Sequence, residues 1–201
     1  MKLSYMFQAV DLLYNEWDLG KKSSMAKGKI CAWIYMMEIL EEAEIIEIHK
    51  EEKKLIGFCS YIKYNSDKYK IRKTLYHIIK KILLMSPMIK NKSYIYKYTE
   101  DYDYTPKELQ NYFDGEINIL IVDKEYRGKG IGKKLLLETF ENAKKDKIKR
   151  LQILADESCN FKFYEICGCK KIYETVIPNG EPGKCKNNPT ELGFIYEKVL
   201  Y

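Results

Sequence analysis

Apolar residues recur every three or four positions through most of the first forty residues. The clearest runs are Phe7, Val10, Leu13 and Tyr14, and later the segment ICAWIYMMEIL. This spacing predicts two amphipathic helices separated by Gly20 and the polar run after it, with Ser23 or Ser24 as the N-cap of the second helix. No strand is predicted ahead of Met6.

A strand-like pattern replaces the helical spacing after residue 43. The segment AEIIEIHKEEKKLIGFCSYIKY predicts a β-hairpin with a short charged turn at Lys50 to Lys54. The continuous apolar run INILIVD is typical of a central strand, and RLQILAD of a second buried strand. The segments KKIYETVIP and GFIYEKVL predict two closing strands bridged by the turn-rich NGEPGKCKNNP.

Helices are predicted between these strands. The segment KIRKTLYHIIKKILLMSP indicates a basic amphipathic helix that ends at Pro87 and packs its apolar stripe on the domain, with membrane-surface binding as the alternative. Another helix runs to about Lys145, and CNFKFYEICG predicts a short helix that ends at Gly168. Without repeats or linkers, these patterns predict one α/β domain over residues 1–201.

The composition is that of a globular protein with a basic surface. The 201 residues are 46% hydrophobic and carry a formal net charge of +6, with a pI near 8.8. This length suits one domain with a proper core. The scattered Lys and Arg indicate a solvated surface that also attracts an anionic ligand. No recognised nucleic-acid-binding motif accompanies the charge, so nucleic acid is not expected as a partner.

The cysteines and the apolar segments bear on metal binding, the cellular compartment and membrane insertion. Among six cysteines only Cys167 and Cys169 are close in sequence, and both histidines lie far away, so no metal site is predicted. We expect reduced, mostly buried thiols in a cytoplasmic protein. The N-terminal segment lacks the pattern of a signal peptide, and the most apolar segments are short and charged, so no membrane span is expected.

The stretch YRGKGIGKKLL raises the question of what approaches its glycines. The Walker A pattern fails because Arg127 occupies the first glycine position and Lys134 the Ser/Thr position. The dinucleotide fingerprint fails in both of its registers. A strand, an Arg-x-x-Gly-x-Gly turn and a helix remain. The N–H groups of residues 128–133 would point at one anion at the start of the helix, and the absence of Cβ atoms at Gly130 and Gly132 would let a pyrophosphate reach the main chain.

At this point the sequence resembles the GNAT superfamily of N-acetyltransferases. The family's pyrophosphate motif, [RQ]-x-x-G-x-[GA] after a central strand, matches RGKGIG, and NFKFYEICGC resembles its N…FYE..GF helix, with Cys169 in place of the usual aromatic residue. The resemblance covers residues 44–200 and implies a mixed, mostly antiparallel central sheet flanked by helices. The absent first strand and the long segment 64–114, a helical insertion before the central strand, depart from the family.

The resemblance implies acetyl-CoA as donor, an amine as acceptor and no metal. The pyrophosphate is expected on the backbone of Gly128, Lys129, Gly130, Ile131, Gly132 and Lys133, with Arg127 adding charge. The pantetheine arm is expected along Leu120, Ile121 and Val122, with a strand N–H holding the oxyanion. Asn160 would bond the cofactor or orient its helix.

Two side chains would carry the proton transfers that the resemblance implies. Glu116 is expected as the base that deprotonates the amine, with Asp114 as its competitor, and Tyr164 as the acid that protonates the leaving thiolate. We also hypothesise that Asp101, Tyr102, Asp103 and Tyr104 attract a cationic amine, a solvated loop being the alternative.

Several points stay open at this level. A non-catalytic acyl-CoA-binding or regulatory module on the same fold is the alternative function. The insertion 64–114 is the candidate acceptor-binding region, but the sequence identifies neither the acceptor nor the acyl-chain preference. A homodimer is one option for the oligomeric state, which the sequence does not fix.

Overall fold

A six-stranded sheet with helices on both faces organises the chain. The computed structural model describes residues 1–17, 24–89, 104–178 and 190–201. The helices in these ranges are α1 (Leu3–Glu16), α2 (Met25–Glu42), α3 (Lys70–Leu84), α4 (Ile131–Lys145) and α5 (Lys162–Ile166). The strands are β1 (Ile45–Glu51), β2 (Lys54–Lys63), β3 (Gly115–Val122), β4 (Arg150–Asp156), β5 (Lys170–Pro178) and β6 (Thr190–Val199). Short 3₁₀ turns precede β3 at Lys107–Leu109 and follow it at Lys124–Tyr126.

The strand order is β1-β2-β3-β4-β6-β5, and every neighbouring pair is antiparallel except β3 and β4. The parallel pairing of β3 with β4 comprises three residue pairs and ends at Ile117 opposite Ile153. The mostly antiparallel mixed sheet that the resemblance implied is therefore confirmed. The short pairing of β3 with β4 lies at the centre of this sheet.

Two hydrophobic layers cover the sheet. On one face, α4 buries Leu135, Leu136 and Phe140 against β2, β4 and β6. On the other, α1 and α2 pack on Phe58, Ile119 and Ile121. Helix α3, inside the insertion, packs against α2 and extends this second layer. Its opposite side keeps apolar side chains exposed.

The predicted elements lie where the sequence patterns placed them. The hairpin turns at residues 52–53, Ser24 caps α2 by accepting from the Lys27 N–H, and α3 ends before Pro87. Gly168 adopts a left-handed conformation after α5. In the described part of the chain no strand precedes α1. Gly20, Ser23, residues 90–103 with Asp101 to Asp103, and the bridge 179–189 with Cys185 lie outside the described residues.

Two other sequence predictions concern the cysteines and membrane-spanning helices. Of the five cysteines in the described ranges, four are buried and Cys159 is exposed. Within the same ranges, no helix combines the length and the hydrophobicity that crossing a bilayer requires.

Candidate functional site at the two ends of the central strand

The loop between β3 and α4 is shaped by two glycines in the left-handed region. Gly128 and Gly130 both have φ of +78°, and Gly130 is the N-cap of α4. A Cβ added to either glycine would meet nothing within 4 Å, so the main chain there faces open space. Any other residue would be strained at this φ and would project an atom into that space.

Gly132 has a different role from the one expected. A Cβ at Gly132 would lie 3.7 Å from the Phe163 ring and from Val122 Cγ2, which is ordinary van der Waals contact. Gly132 therefore lies beneath α5 and does not open a space for a ligand. The open pair in the loop is Gly128 and Gly130.

The same loop presents unused hydrogen-bond donors. In the described part of the chain, no acceptor is recorded for the N–H groups of residues 128–133, the last three of which form the first turn of α4. Such donors, together with the helix dipole, favour an anion.

The cationic side chains of the loop are partly engaged. Arg127 donates from Nε to the Val122 carbonyl at 3.0 Å and lies 2.7 Å from a Glu16 oxygen of α1. The ammonium of Lys129 lies 4.6 Å from the centre of the Tyr126 ring, and Lys133 is exposed. Arg127 thus fixes the start of the loop to the end of β3, and the exposed lysines add positive potential.

A gap opens between β3 and β4 beyond Ile117. The Asp123 N–H donates to the Ile56 carbonyl of β2 at 2.8 Å. Because N–H and C=O directions alternate along a strand, those of Val122 and Leu120 point away from β2, towards β4. The pairing with β4 has already ended there. Ile121 was expected among the binding residues, but its backbone faces β2 opposite Phe58 and its side chain is buried under α1 and α2.

A β-bulge at Asn118 lies where this gap begins. Tyr61 is opposite Ile117 and Ser60 is opposite Ile119, so Asn118 has no partner in β2. The extra residue reverses the side-chain alternation of β3. Ile117 consequently faces α4, whereas Ile119 faces α1 and α2.

Glu116 lies just before the bulge, on the face that α2 and α3 cover. Its carboxylate accepts a hydrogen bond of 2.8 Å from the Tyr64 hydroxyl. The neighbouring Asp114 accepts from the backbone N–H groups of Lys149 and Arg150 at 2.8 and 3.0 Å, which fixes the start of β4. Of the two carboxylates, only Glu116 lines a cavity.

Tyr164 of α5 lies on the opposite face of the sheet. Its ring packs against Tyr196, and burial, followed by the nearby thiols of Cys159 and Cys59, raises the pKa of its phenol. The phenol therefore stays protonated at neutral pH. Asn160, one turn earlier, is exposed, and its carbonyl accepts from the Phe163 N–H at the start of α5.

A cavity of about 500 Å³ lies beside Glu116 and was missed by sequence reasoning. The residues that line it come from α2, the end of β2 with the turn after it, α3 and β3: Glu41, Glu42, Ile62, Lys63, Tyr64, Asn65, Ser66, Lys73 and Glu116. The spacing of Glu38, Glu41 and Glu42 at the end of α2 was the only sequence signal, and it is equally typical of a solvated helix end.

Most charges around this cavity are paired. Glu41 lies 2.6 Å from the Lys80 ammonium and 2.7 Å from His77 Nδ1, and Lys73 lies 3.3 Å from the buried Glu44. Glu42 has no recorded ion pair among the described residues. The cavity wall removes water from its carboxylate, and Glu38 and Glu116 repel its charge, so its pKa rises to about 7, although Glu42 is an exposed residue and Lys80 acts in the opposite direction.

The remaining predictions concern Tyr104 and metal binding. Tyr104 donates its hydroxyl to the carbonyls of Ala155 and Phe194, at 2.6 and 3.1 Å, and so bridges β4 and β6. This is a structural contact. Among the described residues, no group of three or more His, Cys, Asp or Glu side chains is arranged to hold a metal ion.

Comparisons with known proteins give one family match over part of the chain and several similar folds. Residues 94–169 match the model of the acetyltransferase (GNAT) family. Among solved structures, an aminoglycoside 6'-N-acetyltransferase complexed with coenzyme A is 14% identical, with a TM-score of 0.57 over 100% of this chain and 93% of that one. An N-acetyltransferase from Staphylococcus aureus Mu50 is 18% identical, with a TM-score of 0.55 over 100% and 96%.

A third similar structure is the ribosomal-protein-alanine N-acetyltransferase from Brucella melitensis, which is 13% identical with a TM-score of 0.53 over 99% of this chain and 97% of that one. At these identities the likeness concerns the fold. The search of curated proteins found no match.

Proposed function

Because residues 94–169 match the model of the acetyltransferase (GNAT) family, we propose that the chain is a member that transfers an acetyl group from acetyl-CoA to a primary amine. The observation that carries this proposal is the gap beyond Ile117, where backbone groups of Leu120 and Val122 point towards β4 without a strand partner. A ligand with amide groups, such as the pantetheine arm, would pair with them as a strand does.

The glycine loop fits the other end of the same donor. Its unused N–H groups and the open space at Gly128 and Gly130 suit a pyrophosphate, and Lys129 and Lys133 contribute positive charge. When bound, acetyl-CoA supplies the activated thioester. The loop and the gap are consecutive along the chain, so one extended molecule would contact both.

The chain's own residues would then manage charge and protons. Glu116 takes a proton from the acceptor ammonium so that the neutral amine attacks, and N–H groups of β3 at the gap stabilise the negative charge that develops on the acyl oxygen. Tyr164 donates its phenolic proton to the departing sulfur. Burial keeps this phenol protonated at neutral pH, so its O–H is available to the sulfur when the thiolate forms.

The test is release of free thiol from acetyl-CoA in the presence of a panel of small amines, peptides and lysine-rich proteins. We expect release that depends on one class of amine. If wild-type protein binds acetyl-CoA but releases no thiol with any acceptor, the catalytic proposal is wrong and a non-catalytic acyl-CoA-binding module takes its place.

A further inference from the structure

The cavity is lined in part by Glu116, the proposed base. Glu116 and Ile62 are opposite each other in the sheet and both line the cavity. The next residue pair on this face is Ser60 with Ile119, and the Asn118 bulge lies between the two pairs. A molecule in the cavity therefore approaches the point where β3 and β4 part.

Buried polar atoms along this face have no partner. Ser60 is fully buried, and its Oγ makes no recorded hydrogen bond within the described residues. By alternation it shares the face of Ile62 and Tyr64, which line the cavity. The Nδ2 of Asn118 and the Oε2 of Glu44 are also buried and unbonded, and the other oxygen of Glu44 contacts the cavity residue Lys73. Unsatisfied groups of this kind are costly unless a polar ligand or water meets them.

The cavity also carries an excess of negative charge. Both of its lysines are directed to other groups, Lys63 to the Asp146 carbonyl and Lys73 to Glu44. Lys80 and His77 lie against Glu41. Glu42 therefore faces the cavity without a cation of its own, and Glu116 lies across from it.

On these grounds, and resting on the proposed function, we infer that the cavity binds a small acceptor with two positive charges. The distal ammonium would lie at Glu42, and the reacting nitrogen would lie at Glu116, which removes its proton. The acceptor class is thus a linear diamine or polyamine. Glu42 acts as a specificity-determining residue and takes no part in the chemistry.

Binding of such a ligand has a proton signature. The free Glu42 carboxyl has a pKa of about 7, and an ammonium beside it would lower that value, so binding at pH 7 releases protons. The charged and titratable groups that face Glu42 come from α2, α3, β2 with its following turn, and β3: Glu38, Glu41, Lys73, His77, Lys80, Lys63, Tyr64 and Glu116. Because the ionised fraction of Glu42 rises about tenfold from pH 6 to pH 8, affinity should rise by about the same factor.

The experiment is isothermal titration of the full chain with a series of linear diamines, propane to hexane in length, and with n-butylamine as the single-charge control. We expect the best diamine to bind about tenfold more tightly than the monoamine, which is the value of one charged contact. In Glu42→Gln the diamine should bind like the monoamine, and the pH dependence and the proton release should vanish. Glu141→Gln, on the exposed side of α4, should leave all three unchanged.

Two results would overturn the inference: equal affinities for diamine and monoamine, or a diamine affinity that Glu42→Gln leaves unchanged. Neither depends on turnover, so both are separate from failure of the proposed function. That failure would appear as a diamine that binds as expected while acetyl-CoA neither binds nor loses its acyl group.

Discussion

The two ends of β3 offer a ligand different chemical groups. At the carboxyl end, main-chain N–H groups of Leu120, Val122 and the glycine loop are available, and the side chains there add mainly positive charge. At the amino end, three carboxylates from α2 and β3 face one cavity. Main-chain recognition depends on backbone geometry and a few glycines, whereas the cavity depends on which side chains the insertion places together. A sequence motif can therefore predict the proposed donor site, whereas no motif predicts the proposed acceptor site.

The largest expected effect concerns the proton transfers that join the two ends. Glu116→Gln and Tyr164→Phe should each lower kcat by about 10²–10³-fold, because each removes one positioned acid or base. Steady-state thiol release measures this. Glu141→Gln and Tyr173→Phe, both at exposed positions, are the matched controls. Wild-type kcat in Tyr164→Phe would reassign the acid.

The next prediction concerns a variant that disrupts only the carboxyl end of β3. A ligand at a hundred times its Kd stabilises a protein by about 2.7 kcal/mol, which at this size raises Tm by roughly 5–10 °C. Acetyl-CoA should produce this shift in wild-type protein and none in Gly130→Asp, whose carboxylate would occupy the open space of the loop.

The control for that variant shares its backbone strain. Gly168 has φ of +75° after α5, away from the loop, so Gly168→Asp should lose a similar amount of stability yet keep the acetyl-CoA shift. Loss of the shift in both variants would mean that general destabilisation explains the result.

A smaller effect separates the two carboxylates near the amino end. Asp114→Ala removes the acceptor of two backbone N–H groups and should cost about 1–2 kcal/mol of stability while changing kcat less than twofold. Thermal denaturation and thiol release together measure both effects. A large loss of kcat with little loss of Tm would make Asp114 the base.

The smallest effect is the pH dependence of stability at Glu42. Its pKa rises from 4.5 to about 7 on folding, so wild-type protein loses stability as pH increases from about 4.5 to 7. Glu42→Gln avoids this loss. Because the side chain is partly in solvent, we expect the variant to be more stable by about 1 kcal/mol at pH 8 and equal near pH 4.5. Denaturant titration at both pH values gives the difference, and a wild type that is more stable at pH 8 would contradict it.

Local patterns in the sequence predicted the helices and strands around the proposed donor end. The hairpin, the central strand and the helix after the glycines each depend on residues close together in the chain, so periodicity and turn chemistry locate them. The role of the individual glycines was harder to predict. Gly132 differs from Gly128 and Gly130 because Phe163, which reaches it from α5, lies 3.7 Å from the position of its Cβ.

The acceptor end required contacts that no local pattern contains. Glu41 and Glu42 are the last residues of α2, and Lys73, His77 and Lys80 contact the nearby carboxylates from α3. Only the packing of α3 on α2 shows which carboxylate has no cationic side chain paired with it. The position of Ile121 was missed for a related reason, because the direction of its backbone is set by pairing with β2.

The short parallel pairing has a mechanical consequence. Three residue pairs join the half of the sheet made of β1, β2 and β3 to the half made of β4, β6 and β5. A strand-like donor in the gap would lengthen the join, and the two halves would then move as one body. Amide hydrogen exchange should slow at Leu120 and Val122 and also in β4, because donor binding would reduce local opening across the whole sheet.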